Sequence, residues 1–323
     1  MRRLAIAILF ILISLTVSFS QVVPPASSEG YFQSDEGFKL YYRIIGSGPD
    51  TVVIPLASWY GTSLDPLASS HTLILYDVRN RGRSAQVADT TRLGIPFEIR
   101  DLERLRKHFR ISKMSLIGLS YLGLEVAAYS IEYPHYVSKI IQVGPAGPRP
   151  DFQYAKDPIP QDYVVDSNAV FALRQMRARG DDAKNPTEYC RLYWEVNLPR
   201  YIGNQTVLSS INIPCELPNE APANLSRSVR FIFRSLAGKD YRSQVRSLRM
   251  PLLTIHGDWD RIAPLQGGQE WVASFPNARL LVLPKAGHLP FLEYPEIFIS
   301  AVDSFLKGNW PEGSITVESK EGR

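Results

Sequence analysis

Gly118-Leu119-Ser120-Tyr121-Leu122-Gly123 stands between an apolar run over 114–119 and a helical pattern over 121–131. A serine between strand and helix is the context that a nucleophile elbow requires. The backbone of such a turn is crowded, so small residues flank the serine, and the hydroxyl is lifted above the sheet. The helix amino terminus beside it favours developing negative charge. The stretch departs from the glycine-x-serine-x-glycine form at Leu122, with Gly123 one place later. A G-x-S triplet alone is weak, because most are ordinary turns; the flanking strand and helix give this one meaning.

Outward from that turn, strands and helices alternate. Residues 31–32 and 38–45, separated by Ser34-Asp35-Glu36-Gly37, read as an antiparallel hairpin after a flexible lead-in over 21–28. Runs at 51–55, 72–76, 114–119 and 137–143 are short and apolar, as strands buried on both faces are. Pro96 opens a helix to about Phe109, with Glu98 and Asp101 near its positive end. Strands at 251–256 and 279–283 and a helix at 295–306 close the pattern. Alternation of this kind implies a mostly parallel sheet with helices on both faces. Between about 147 and 247 the rhythm breaks: helices are expected at 169–179, 186–197 and 226–234, and prolines punctuate the rest. Because sheet-type strands resume at Pro251, residues 148–247 read as a helical cap inserted into a core of 21–147 and 248–310, with 311–323 as a flexible tail.

A serine hydroxyl needs a base to take its proton. Of five histidines, only His288, in Pro284-Lys285-Ala286-Gly287-His288, follows the last strand at its carboxyl end, where open parallel sheets build their sites. His71, His108, His135 and His256 read as structural. The base in turn needs an acid to fix its tautomer. Asp258 and Asp260, in His256-Gly257-Asp258-Trp259-Asp260, follow the preceding strand, and either can serve.

Composition bounds the rest. A 45% hydrophobic content over 323 residues can bury a large core, and 21% charged residues exclude a disordered chain. The formal charge of +4, with no basic run longer than Arg104-Leu105-Arg106-Lys107, argues against a nucleic-acid partner. Met1-Arg2-Arg3, sixteen uncharged residues and small Ser18 and Ser20 form a secretory signal over 1–20 with cleavage before Gln21. The alternative is an uncleaved membrane anchor, but sixteen helical residues rise only about 24 Å against a hydrocarbon core of ~30 Å. A secreted or periplasmic location follows, with no stable membrane insertion after cleavage. In that oxidising setting Cys190 and Cys215 form a plausible pair. No Cys/His cluster has zinc-ligand spacing, and Gly46-Ser47-Gly48 opens no helix, so neither metal nor cofactor is expected.

From about Gly37 to Leu306 the chain resembles the α/β-hydrolase superfamily. The order Ser120, Asp260, His288 is its nucleophile–acid–base order, and its pattern selects Asp260 over Asp258. Asp77-Val78-Arg79-Asn80-Arg81-Gly82-Arg83-Ser84 is similar to its D-x-R-G-x-G-x-S loop, and Ala286-Gly287-His288 to its histidine loop. The family's His-Gly after the third strand is replaced by Pro55-Leu56-Ala57. The resemblance implies an oxyanion hole from the backbone amides of Tyr121 and Ala57. In the cap, Tyr189-Cys190 to Trp194-Glu195 and Asn219-Glu220-Ala221-Pro222 are most similar to the proline iminopeptidase branch. That implies an aminopeptidase on short peptides, with Glu220 first and Glu195 second as ligands of the substrate ammonium. A carboxylesterase acting on small esters is the alternative, and a non-catalytic binder on the same fold is a third reading.

Overall fold

The computed structural model describes residues 27–155, 159 and 166–318; the expected signal segment and its cleavage site lie outside them. Eight strands form one sheet: β1 (Ser27–Gln33), β2 (Lys39–Ile45), β3 (Thr51–Pro55), β4 (Thr72–Tyr76), β5 (Met114–Leu119), β6 (Val137–Val143), β7 (Leu252–Gly257) and β8 (Ala278–Leu283). Their order is β1-β2-β4-β3-β5-β6-β7-β8. β2 pairs antiparallel with β1 and with β4, and every other pairing is parallel. The expected hairpin is present, but β1 starts at Ser27 and takes in the end of the supposed lead-in. β4 and β5 are buried along their whole length, as their mostly apolar runs require of central strands.

Three helices follow strands in the first half, α1 (Ala57–Tyr60), α2 (Ile95–His108) and α3 (Tyr121–Glu132), and α4 (Ser167–Ala178) comes after β6. α3 is apolar almost all round and packs on β5, β6 and α2. α4, α5 (Asp181–Lys184), α6 (Pro186–Asn197) and α7 (Pro222–Ser235) all lie between β6 and β7, where the cap was expected. Cys190 on α6 and Cys215, in the segment before α7, form a disulfide with Cα atoms 5.7 Å apart. The cap is stitched to the core loop after β4: Asn219 Nδ2 donates to the Ser84 carbonyl and Asn224 Nδ2 to the Asn80 carbonyl, at 2.5 and 2.9 Å.

After the cap come α8 (Arg242–Val245), α9 (Leu265–Ser274), α10 (Pro290–Glu293) and α11 (Pro295–Leu306). α9 does not stand out in the sequence because Gly267 and Gly268 interrupt its pattern. Gly268 is there for space: a Cβ would fall 2.5 Å from Nδ1 of His256. The tail is corrected as well. The chain past α11 returns to the sheet, and Ile315 and Leu280 of β8 exchange backbone hydrogen bonds at 2.8 Å. Among the described residues no helix is long and apolar enough to cross a membrane.

Candidate active site

Ser120 joins β5 to α3 with φ 59° and ψ −126°, a conformation that side chains other than glycine seldom adopt. The turn is so tight that a Cβ on Gly118 would lie 2.3 Å from the Leu122 carbonyl oxygen. Leu122 is accommodated because its side chain enters the core, while Gly123 packs against Pro145. The departure at 122 thus costs the elbow nothing.

His288 stands in the loop after β8, nearly buried. Its Nδ1 is 2.7 Å from Oδ2 of Asp260, and its backbone N–H donates to the Tyr201 carbonyl at 2.6 Å. Asp260 leaves the end of β7, and its Oδ1 accepts the amides of Ile262 and Ala263, each at 2.8 Å. Burial pushes the Asp260 acid up, but His288 and His256 outweigh it and hold the carboxyl far below its ordinary range. With Asp260 as acceptor, Nδ1 carries the proton in the neutral imidazole of His288, and Nε2 is then the acceptor. Asp258 instead closes the loop, its Oδ1 accepting the Lys285 amide at 2.5 Å.

Two supports escaped the sequence reading. Glu293 on α10 accepts the Gly287 amide on one oxygen and the Gly203 and Asn204 amides on the other, all at 2.8 Å. It therefore ties the histidine loop to the cap. His256, read as merely structural, is wholly buried with Nε2 3.0 Å from the Ala263 carbonyl and 3.4 Å from Asp260 Oδ2. Both neighbours are acceptors, so Nε2 carries the proton.

Ser120, Tyr121 and His288 line one cavity of about 440 Å³, walled mainly by apolar side chains such as Trp59, Phe152 and Leu225. Tyr121 opens α3, and Ala57 opens α1 after Leu56, whose φ is 76°. Neither the Tyr121 nor the Ala57 N–H meets an acceptor among the described residues. The amides on either side of Ala57 are engaged: Leu56 donates to the Tyr76 carbonyl and Ser58 to Asp77 Oδ1, both at 2.7 Å. Gly82 allows Asp77 that position, since a Cβ there would lie 2.0 Å from Asp77 Oδ2.

The structure does not place Glu220 or Glu195 where an ammonium could reach them. Glu220 is buried behind the cavity wall in a salt bridge with Arg81, whose Nη2 is 2.7 Å from Oε2. Gly82 N, Ser58 Oγ and Trp59 Nε1 also donate to its carboxylate. Burial raises the Glu220 acid, but Arg81, Trp59 and the Gly82 amide outweigh it and hold it below the usual range. Glu195 is exposed on a separate groove of the cap, beside Arg191 and Pro199. The correction has a simple cause: sequence shows charges, not the partners that have already claimed them.

A second acid pair lies near Tyr121. Glu98 of α2 and Glu125 of α3 are both buried, and Glu125 Oε1 accepts from Tyr76 Oη at 3.4 Å. Burial first, and then the charge of Asp101, push Glu98 up to about 7, while burial and the repulsion of Glu98 carry Glu125 well above its ordinary value.

A family model for the alpha/beta hydrolase fold matches residues 48–295. A pimeloyl-[acyl-carrier protein] methyl ester esterase of Vibrio atlanticus is 23% identical over 276 residues, covering 83% of this chain and 98% of that protein. A proline iminopeptidase of Heyndrickxia coagulans is 22% identical over 300 residues, covering 86% and 98%. Among solved structures, an esterase from Exiguobacterium antarcticum superposes with a TM-score of 0.63 at 19% identity, covering 86% of this chain and 99% of that one; at that identity it speaks for the fold alone.

Proposed function

The chain belongs to the α/β hydrolase family and is a hydrolase; we propose that it cleaves small carboxylic esters through an acyl-enzyme on Ser120. Ser120 Oγ attacks the acyl carbon while Nε2 of His288 takes its proton. The Tyr121 and Ala57 amides receive the charge on the carbonyl oxygen. Collapse of the adduct breaks the bond to the alcohol, which leaves with the proton from His288. Water then attacks the acyl-enzyme with the same base, and the acid departs as Ser120 recovers its proton. Asp260 orients His288 throughout and stabilises its cation.

The observation that carries the ester over the peptide is the lining of the cavity. A free amino terminus buried there needs carboxylate partners, and no aspartate or glutamate lines it among the described residues. The similarity to a methyl ester esterase points the same way. Incubation with a fluorophosphonate is expected to label Ser120, and p-nitrophenyl acetate to be turned over while an amino-terminal proline amide is not. Labelling of another residue would sink the triad, and turnover of the amide alone would restore the peptidase. We also propose export by the segment at 1–20; the Cys190–Cys215 bond supports it, because such bonds persist in oxidising compartments. Mass spectrometry of the chain from its own host is expected to find Gln21 at the amino terminus, and an intact Met1 in a detergent-requiring fraction would establish the anchor instead.

A further inference from the structure

We propose that Arg81 and Arg149 form a subsite for a carboxylate, so that the preferred ester is a hemiester, with one carboxyl group esterified and a second left free. This rests on the ester-hydrolase reading and specifies its substrate. Apart from His288, these two arginines are the cationic side chains on the cavity wall among the described residues.

Each is built in the same way. Arg81 spends Nε and Nη2 on Glu220, at 3.3 and 2.7 Å, and its guanidinium lies 5.6 Å from the centre of the Trp59 ring. Arg149 spends Nε and Nη2 on Glu270, at 3.1 and 2.6 Å, and stacks 3.5 Å over Phe152. Neither glutamate lines the cavity. Glu270 is held further by Tyr154 Oη at 2.5 Å and by Arg242 at 3.5 Å.

Two ion pairs therefore share one polarity, with the guanidinium at the wall and the carboxylate behind it. The paired glutamates reduce the cost of burying the cations. They also fix each planar fork, so little freedom is lost when a ligand arrives. In both arginines Nη1 has no acceptor among the described residues. A donor in a mainly apolar wall is satisfied best by a charged acceptor, because such bonds are short and about twice as strong as neutral ones. An alkyl chain would leave both donors unmet. An ammonium would meet the positive end of each pair, which is the reverse of what Glu220 suggested in sequence.

The test compares monomethyl adipate with methyl hexanoate, following methanol release, in wild type, Arg149→Gln and Arg81→Lys. The expected result is a wild-type kcat/KM that favours the hemiester, and a hemiester-to-neutral ratio that falls at least tenfold in each variant through KM. Free adipate should inhibit wild type competitively and each variant more weakly. If Arg81→Lys fails to fold, Arg149→Gln and adipate inhibition decide. A wild-type preference for methyl hexanoate, or a ratio that neither variant moves, overturns the subsite while leaving the ester hydrolase standing. No turnover of either ester, with Ser120 unlabelled by fluorophosphonate, overturns both.

Discussion

Nε2 of His256 lies 3.4 Å from Oδ2 of Asp260, the same oxygen that meets His288 at 2.7 Å. The carboxylate thus divides its charge between two imidazoles, of which His288 lines the cavity and His256 does not. His256 is a positioning residue by this geometry. Other groups near the pair are Tyr201, whose ring is 5.7 Å from His288, and Glu293 through the Gly287 amide, while Arg81 lines the same cavity as His288. With His256→Phe the Asp260 carboxylate loses one of its two imidazole partners, and His288 loses part of what fixes its orientation. kcat for p-nitrophenyl acetate is expected to fall by roughly tenfold, the ~1.5 kcal/mol of a weak hydrogen bond to a charged group, with KM unchanged. An unchanged kcat would reduce His256 to a spacer.

Ser120 holds a backbone conformation natural to glycine, and such strain costs ~1–3 kcal/mol. Ser120→Gly should therefore raise stability by about 1 kcal/mol, once the greater freedom of unfolded glycine is offset, while hydrolysis falls at least ~1000-fold. Ser120→Ala should lose the same activity and gain no stability. Thermal unfolding of the pair decides; equal midpoints would show that the turn is unstrained.

Asp258 and Asp260 differ by what they hold. Asp260→Asn should cut kcat by several orders of magnitude, roughly 10⁴-fold where a triad aspartate is so replaced. Asp258→Asn should cost only the stability of one bond to the Lys285 amide, ~1 kcal/mol. Steady-state kinetics with p-nitrophenyl acetate separate the two, and comparable losses would undo the assignment.

Glu220→Gln is a stability variant before it is anything else. It leaves the buried Arg81 without a counter-charge, which costs ~3–5 kcal/mol when such pairs are broken. The acid of Glu220 is held below its ordinary value, so its contribution is full above about 4.5 and is lost as pH falls through the folded value. The gap between wild type and variant in denaturant melts should be widest near neutrality and shrink in acid. A gap that does not vary with pH would contradict the ion pair.

Glu98 works in the opposite direction. Its acid is raised to about 7, so its contribution is full below about 4.5 and fades as pH rises through 7. The groups facing it are Glu125, Asp101, Arg79 and Arg81. Glu98→Gln removes that titration, so its melting temperature relative to wild type should climb between pH 5 and pH 8. A constant offset would mean that Glu98 is not titrating there.

What the sequence conveyed tracks how local each signal is. The strand at 137–143 and the helices at 186–197 and 295–306 have their expected bounds, the two helices because a proline fixes each first turn. α9 was hidden because Gly268 answers to His256, a demand from outside the helix. That Asp260 would meet His288, and that Ser120 would share a cavity with it, was legible because each sits at a strand end in a recognisable order. Glu220 was misread because its partner, Arg81, is 139 positions away. The meaning of His256 likewise depended on a loop folding back on its own strand.

Glu220 belongs to the cap, yet it anchors Arg81, Gly82, Ser58 and Trp59, all of which belong to the core. Descent and engineering alike must respect that joint. A cap transplanted from a relative without an acid at this place would strand a bare guanidinium beneath it. One grafted elsewhere with Glu220 intact would bring an acid in search of a base. The insertion and the loop after β4 are therefore a single heritable module, although β5 and β6 lie between them along the chain.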